Sequence, residues 1–376
     1  MHIRTSSRLA PDARSRWIER LPPASAASAA IDLCEALQDS SADVSVTYVE
    51  VLADDDAPLA LGLIHTIHGL DLASYIGGVT QRIFSAVGML RLHPLKMDVA
   101  FLETPFCNLP GLFVTPAGER AEAAVVSEVV RWARANLRCD IFCVKTCDRR
   151  PGEDALAALG MLHAPFLANT GLALPFATFD EYLASLSWEW RRHVRVNQRR
   201  FAAANGRVTR VTDLAAAARI TADLFRSTTS FHEAQGHMGR PLDMDEHFLR
   251  CLDRNAPPER RCLFMCEVDG QVVVATLAVH SGKQLIFVKA GLDYARVKPS
   301  AAYFNAYYAM IEFAIANGIE FVQLCAEAYD VKRRMGGTTA PVSYYVDINN
   351  RWISPIVTLI AKHFSGQKGS AVPEPA

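Results

Sequence analysis

Charge of one sign is what this sequence most lacks: 39 Lys and Arg stand against 40 Asp and Glu in 376 residues, a formal net charge of −1. That excludes a protein that is basic all over, as a general DNA binder would be, although a total near zero can conceal opposed segments. Long apolar runs are lacking too. No stretch reaches the ~18 consecutive apolar residues needed to span a bilayer, so a cytoplasmic protein without a transmembrane segment is expected. The first twenty residues hold five arginines and no apolar core ahead of a cleavage site, which argues against a secretory leader. The nine cysteines are an odd number and most sit in apolar runs such as Cys262-Leu-Phe-Met-Cys266, the pattern of reduced core thiols. Cys139, Cys143 and Cys147 recur every four residues, but no second pair completes a zinc set, and no metal is expected.

Hydrophobic residues, by contrast, make up 50% of the chain, enough for two domains with cores of their own. The balanced total hides two unlike segments. Residues 31–60 contain eight acids and no Lys or Arg, while residues 187–210 contain seven arginines against Glu189 alone. In the first half, strands are expected at Val44–Leu52, Leu59–Ile67, Met97–Leu102, Asp140–Thr146 and Pro165–Leu174, with a helix at Glu119–Leu137. A frayed start and a helix to about residue 40 precede them. In the second half, Thr178-Phe-Asp-Glu181 has the form of a capping box that opens one long helix to about Ala204. A strand at Arg207–Val211, a helix at Leu214–Arg226 and a loop at Ser227–Arg240 follow. Three strands then arrive in quick succession, joined by the tight turns Asp269-Gly270 and Ser281-Gly282. A helix at Ala301–Ala316, a strand at Ile319–Leu324, a short helix and a closing strand at Val342–Ile348 complete the pattern.

An antiparallel meander followed by a helical crossover makes a mixed sheet. The second half resembles a GNAT-superfamily acyltransferase domain. The helix Tyr182-Leu-Ala-Ser-Leu-Ser-x-x-x-Arg-Arg-His-Val-Arg and the tail Glu327-Ala-Tyr-Asp-Val-Lys332-Arg-Arg-Met-Gly336 are similar to the Fem-like tandem branch, which includes peptidoglycan- and exopolysaccharide-associated proteins. The resemblance implies an α/β (α+β) protein of two GNAT-like mixed-sheet domains, the second conforming better. Residues 1–40 would be an extension with a helix, 41–174 a degenerate domain, 175–364 the acyltransferase domain and 365–376 a disordered tail. Arg351–Phe364 would dock against the first domain.

Acyl transfer to an amine needs a route for the amine proton, a donor for the developing oxyanion and a proton for the leaving thiol. After the Ile319–Leu324 strand, Glu327 is the candidate base and Tyr329 the candidate acid. His232, with Glu233 and His237, would line the acceptor site from a loop. In the segment Asp293–Ala302, Arg296, Lys298, Ser300 and Ala301 would meet the pyrophosphate of acyl-CoA at a helix N-terminus, with Lys332 adding a cation. The segment has no glycine, whereas the family's usual signature there is glycine-rich. Arg191, Arg192, Arg195 and Arg199 share a helix face suited to a phosphate- or carboxylate-bearing partner, such as a coenzyme A tail, a tRNA end or a lipid phosphate. No tightly bound cofactor is expected; acyl-CoA would be a co-substrate. The acceptor would be a small-molecule, lipid or cell-envelope amine in a cleft between the halves, with aminoacyl-tRNA or a carrier protein as other donors. A silent accessory module in polysaccharide assembly is the reading from outside enzymology.

Overall fold

The computed structural model describes residues 1–72, 96–148, 152–234, 242–326 and 328–349. Glu327, His237 and the stretch from Arg351 onward lie outside the described residues. From the N-terminus run β1 (His2–Ser6), α1 (Pro11–Arg20), α2 (Ala27–Ser40), β2 (Val44–Leu52), β3 (Pro58–Asp71), β4 (Lys96–Thr104), β5 (Leu109–Pro110), β6 (Leu112–Val114), α3 (Pro116–Glu119), α4 (Glu122–Asn136), β7 (Ile141–Cys147), α5 (Gly152–Ala158) and β8 (Leu162–Ala173). The chain continues with α6 (Phe179–Ser185), α7 (Trp188–Ala203), β9 (Arg207–Val211), α8 (Leu214–Ala234) and α9 (Glu246–Asn255). Then come β10 (Arg261–Val268), β11 (Gln271–Ser281), β12 (Gln284–Leu292), α10 (Tyr294–Ser300), α11 (Ala302–Ala316), β13 (Phe321–Cys325), α12 (Tyr329–Arg334) and β14 (Thr338–Ile348). The mixed α/β architecture is the expected one.

Two compact units result: Met1–Pro22 with Ala42–Ala168 and the chain from Ala340, and Pro23–Ser41 with Asn169–Thr339. These differ from the boundaries expected from sequence at both ends. Helix α2 joins unit two because Arg260 grips its buried Asp32 through bonds of 2.8 and 2.9 Å, and Asn255 reaches its Asp39 at 2.9 Å. Strand β14 falls largely in unit one, where Val342–Ile348 pairs antiparallel with Cys147–Ile141 of β7. The start of the chain is ordered rather than frayed. β1 pairs with β2 from His2↔Leu52 to Ser6↔Tyr48, and Trp17 of α1 is buried with its indole N–H donating to Glu50 at 2.5 Å.

In unit one, Val125, Val126, Val129, Val130 and Ala133 form the inward stripe of α4 at helical spacing. They pack on Val49, Val51, Ile64, Ala100, Leu102, Phe142 and Val144 of the sheet. Strands β4 and β7 run parallel from Val99↔Ile141 to Leu102↔Val144. One residue further, Glu103 and Lys145 form an ion pair of 2.7 Å, with the lysine almost fully buried. Tyr344 donates to the same carboxylate, and the Lys145 ammonium lies 4.9 Å from the Tyr344 ring centre. The unit thus fills the end of its parallel pair with its own charges.

Beside that pair, His65 is 1% exposed and stacks on Phe101 at 5.3 Å. Its Nε2 is 3.8 Å from Glu103, but burial pushes the imidazole pKa down to about 4, with Lys145 adding to the effect and Glu103 opposing it. At neutral pH the ring is uncharged and the contact is not an ion pair.

In unit two, β12, β11, β10 and β9 form an antiparallel meander, β13 joins β12 in parallel, and the end of β8 pairs antiparallel with β13. Asp269 (φ +50°) and Gly270 (φ +76°) make the expected tight turn between β10 and β11. Helix α11 buries Tyr307, Tyr308, Met310 and Ile311 against Phe264, Leu285 and Leu324. The long helix expected over 178–204 is two helices. Thr178 accepts the Glu181 amide at 3.2 Å while Glu181 reaches back to the Ala177 amide at 2.9 Å, but the helix stops at Ser185. Ser187 then opens α7 by accepting the Trp190 amide, and Arg191 donates to the Ala184 and Leu186 carbonyls at 2.7 Å each. A second cap residue inside the run ends one helix and begins the next.

The depressed His65 pKa makes stability pH-dependent. The unfolded chain takes up a proton near pH 6.5 and the folded one only near pH 4, so stability present above pH 6.5 is lost as pH falls towards 4. Over that interval the loss is about 3 kcal/mol. Denaturant titrations of unit one at both ends of the window should show this loss, flattened in His65→Leu; an equal slope in the variant would refute it.

Candidate functional site

Strand β12 pairs with β13 only through Gln284↔Phe321, Leu285↔Val322 and Ile286↔Gln323. On its other side, Ala278 opposes Phe287 while Leu277 opposes Lys289, so Val288 is an extra, bulged residue. A bulge bends its strand and tightens its twist. Two residues before it, pairing with β13 ends. Beyond Ile286, the edge of β12 that faced β13 has no ladder partner among the described residues. Cys325 ends β13 at φ +58°, and its thiol donates to the Phe287 carbonyl at 3.1 Å. A V-shaped opening between two parallel strands is the result.

Helix α11 covers one face of it. The Phe287 ring stacks on Tyr307 at 5.7 Å, and the Tyr303 and Tyr307 hydroxyls are 3.1 Å apart. Burial pushes the Tyr307 pKa well above its ordinary value, with Tyr303 and Cys325 contributing in the same direction, so Tyr307 keeps its proton. Helix α8 covers the other face. Lys289 donates to Thr229 at 3.1 Å and the Leu292 amide donates to Thr228 at 2.9 Å. A Cβ on Gly291 would lie 2.7 Å from the Leu224 main chain, so the close approach requires glycine.

The segment expected as an open phosphate-binding loop is instead the short helix α10. Asp293 caps it by accepting the Ala295 amide at 3.1 Å and pairs with Arg296 at 3.4 Å. Ser300 is buried; its hydroxyl donates to Arg296 O at 2.8 Å and accepts weakly from the Ala302 amide at 3.4 Å. Ala301 turns the corner into α11 with φ +57°, the left-handed conformation that glycine adopts without strain. Arg200 of α7 donates to the Lys298 and Pro299 carbonyls at 3.0 Å each, a corner contact that six similar arginines nearby conceal in the sequence. Asn305 bridges α11 to α7 through Asn197 O at 3.2 Å, and Asn197 donates to Tyr308. Arg296 and Lys298 remain exposed at this corner.

His232 lies in the last turn of α8, which runs on to Ala234 where a loop was expected. Its neighbour Phe231 stacks on Tyr294 at 3.7 Å, which brings the end of α8 to the start of α10. Tyr329 opens α12 directly after the left-handed Ala328. Lys332 was expected to contact phosphate; the structure corrects this. It is 3% exposed and its ammonium donates to Leu324, Cys325 and Ala326 carbonyls at 2.7, 3.2 and 2.6 Å. These three bonds fasten α12 to the end of β13. Arg191, Arg192, Arg195 and Arg199 do not converge on the opening. With Trp188 they line a recess of ≈ 230 Å³ along α7.

Residues 189–333 match the acetyltransferase (GNAT) domain family. This part of the chain has a GNAT-type fold. The match runs from the first turn of α7 to α12 and contains the bulge, the opening and the α10–α11 corner. No curated protein matches the chain by sequence. Among solved structures, FemX superposes with a TM-score of 0.62 at 12% identity, over 96% of this chain and 100% of that one. A tandem GNAT protein from the clavulanic acid biosynthesis pathway gives 0.50 at 11% identity, covering 93% and 98%. L-PGS from Bacillus licheniformis gives 0.50 at 10% identity, covering 95% and 97%. At these identities the likeness is one of fold: a Fem-like, tandem GNAT architecture.

Lys332→Met would strip the partner from three carbonyls at the end of β13, two of them buried, at about 3 kcal/mol or more. Melting should fall by about 6–12 °C; a loss under about 2 °C would contradict the three-carbonyl anchor.

Proposed function

We propose that the chain is an N-acyltransferase that takes an acyl group from a thioester donor, acyl-CoA, and passes it to an amine. The observation that carries this reading is the strand opening beyond Ile286 and Gln323, inside a GNAT-type fold. There the free edge of β12 offers main-chain N–H and C=O groups to an extended donor, as a missing strand would. The donor supplies an electrophilic carbonyl. The amine nitrogen bonds to that carbon, the C–S bond breaks, Glu327 takes the amine proton directly or through water, and the thiolate takes a proton from Tyr329 at the start of α12, which solvent then restores. Main-chain N–H groups of β12 stabilise the oxyanion. Glu327 remains the candidate base, and His232 lines the acceptor side. Arg296 and Lys298 hold the donor's phosphates. The acceptor class is a small-molecule, lipid or cell-envelope amine.

A second reading is aminoacyl transfer from tRNA. What favours it is the corner itself: it is helical and glycine-free, and the Ser300 hydroxyl and Ala302 amide are already engaged. A carrier-protein thioester fits the same observation.

Acetyl-CoA at a hundred times its Kd should stabilise the protein by about 2.7 kcal/mol, visible as a melting shift. Arg296→Ala with Lys298→Ala should abolish that shift; an undiminished shift removes the donor from this corner. Stabilisation or gel retardation only with aminoacyl-tRNA selects the second reading, and silence with both selects a non-catalytic accessory role. Tyr329→Phe should lower kcat about a hundredfold with KM for the donor unchanged. Unchanged kcat would remove Tyr329 as the acid.

A further inference from the structure

Several arginines on other helices of this protein are answered by an acid one turn away. Glu128 pairs with Arg131 at 3.0 Å, Asp223 with Arg226 at 2.8 Å, Glu246 with Arg250 at 2.7 Å, and Asp330 with Arg333. Helix α7 departs from this pattern. Arg192, Arg195 and Arg199 have no acid partner among the described residues, and Glu189 is the helix's sole acid. Like charges at this spacing repel, so the arrangement costs stability within the fold.

The same stripe carries Trp188, which is 68% exposed, the most exposed large hydrophobic side chain among the described residues. At about 100° per residue, Trp188, Arg192, Arg195 and Arg199 fall within a sector of about 60°. That sector lies opposite the buried Trp190, Val194, Asn197 and Phe201. The half-exposed Val196 flanks it, at 38%. All residues lining the ≈ 230 Å³ recess come from this one helix, so it is a furrow on a convex surface without a second wall to grip a strand. The Arg192 guanidinium already lies 5.7 Å over the Trp188 ring, on a face that a stacked base would need.

We infer that α7 is a docking face for an anionic lipid bilayer, with Trp188 entering the headgroup layer and Arg192, Arg195 and Arg199 meeting lipid phosphates. A helix lying flat on a surface presents these four side chains together along about 16 Å of its length. Tryptophan is favoured at the membrane interface, and basic side chains are drawn to negatively charged leaflets. Arg191 is left out because it closes α6. This docking is independent of the acyl donor, since its readout is binding and not turnover.

The test is co-sedimentation of the full chain with vesicles of phosphatidylcholine, alone or with about one-third phosphatidylglycerol, at about 0.1 M and 0.5 M salt. Binding is expected only to the anionic vesicles and should weaken at high salt. Arg192→Gln/Arg195→Gln/Arg199→Gln should lower the partition coefficient about a hundredfold. Trp188→Ala should lower it several-fold with melting unchanged, and the triple variant should melt no lower than the parent, because the side chains are exposed and their mutual repulsion is relieved. Absence of binding to anionic vesicles at low salt, equal binding to neutral ones, or undiminished binding by the triple variant would overturn the inference. So would a gel shift with RNA that the triple variant loses while no vesicle binding is seen, which would assign the stripe to nucleic acid.

Discussion

Three carbonyls at the end of β13 converge on the buried ammonium of Lys332, and the shape of the site follows from that anchor. A strand end exposes carbonyls that need donors, and here one side chain supplies all three. Helix α12 is thereby fixed to β13, with Cys325 and Ala328 at positive φ and Tyr329 opening the helix. On the facing strand, the Val288 bulge turns β12 away two residues after its pairing with β13 ends. Helix α8 holds the bent portion through Thr228 and Thr229, and α11 supports it through Tyr307. The opening is therefore a built feature with an anchor on each side.

The two units treat the end of a parallel strand pair in opposite ways. In unit one, the positions just beyond the β4–β7 ladder are taken by Glu103, Lys145 and the Tyr344 hydroxyl, groups costly to separate once buried together. In unit two, the Cys325 thiol crosses the gap among the described residues, through a weak hydrogen bond that an incoming polar group can replace at little cost. This contrast favours unit two as the chemical site.

Much of this fold is legible in the sequence. Strands at Val44–Leu52 and Arg207–Val211, the Asp269-Gly270 turn and the meander order appear where alternation and turn residues place them. The GNAT resemblance rests on that order, and the family match bears it out. What the sequence hides is mostly tertiary. Ile286-Phe-Val-Lys289 reads as uninterrupted strand, and nothing in it marks Val288 as the bulge. Lys332 looks like a surface cation until three carbonyls are seen around it. Arg200, which reaches the α10–α11 corner, is indistinguishable in sequence from the outward-facing Arg199. Ser187 does carry a local signal, since a serine two residues ahead of Glu189 is an ordinary cap for a second helix.

The basic segment that the net charge conceals also divides in space. Arg191 and Arg200 are used internally, one on the end of α6 and one on the end of α10. Arg210 also packs inward, its guanidinium 4.7 Å from the Phe313 ring centre, while Arg192, Arg195 and Arg199 are exposed, so charge that looks like one patch in the sequence serves both structure and surface. The claim on which the functional account turns is that the opening between β12 and β13 receives the donor. Hydrogen exchange of the main-chain amides, measured with and without acetyl-CoA, tests it most directly. The account predicts slowed exchange at residues 287–292 and 324–326, with unit one unaffected. Unchanged exchange there, alongside new protection around Glu103 and Lys145, would contradict it.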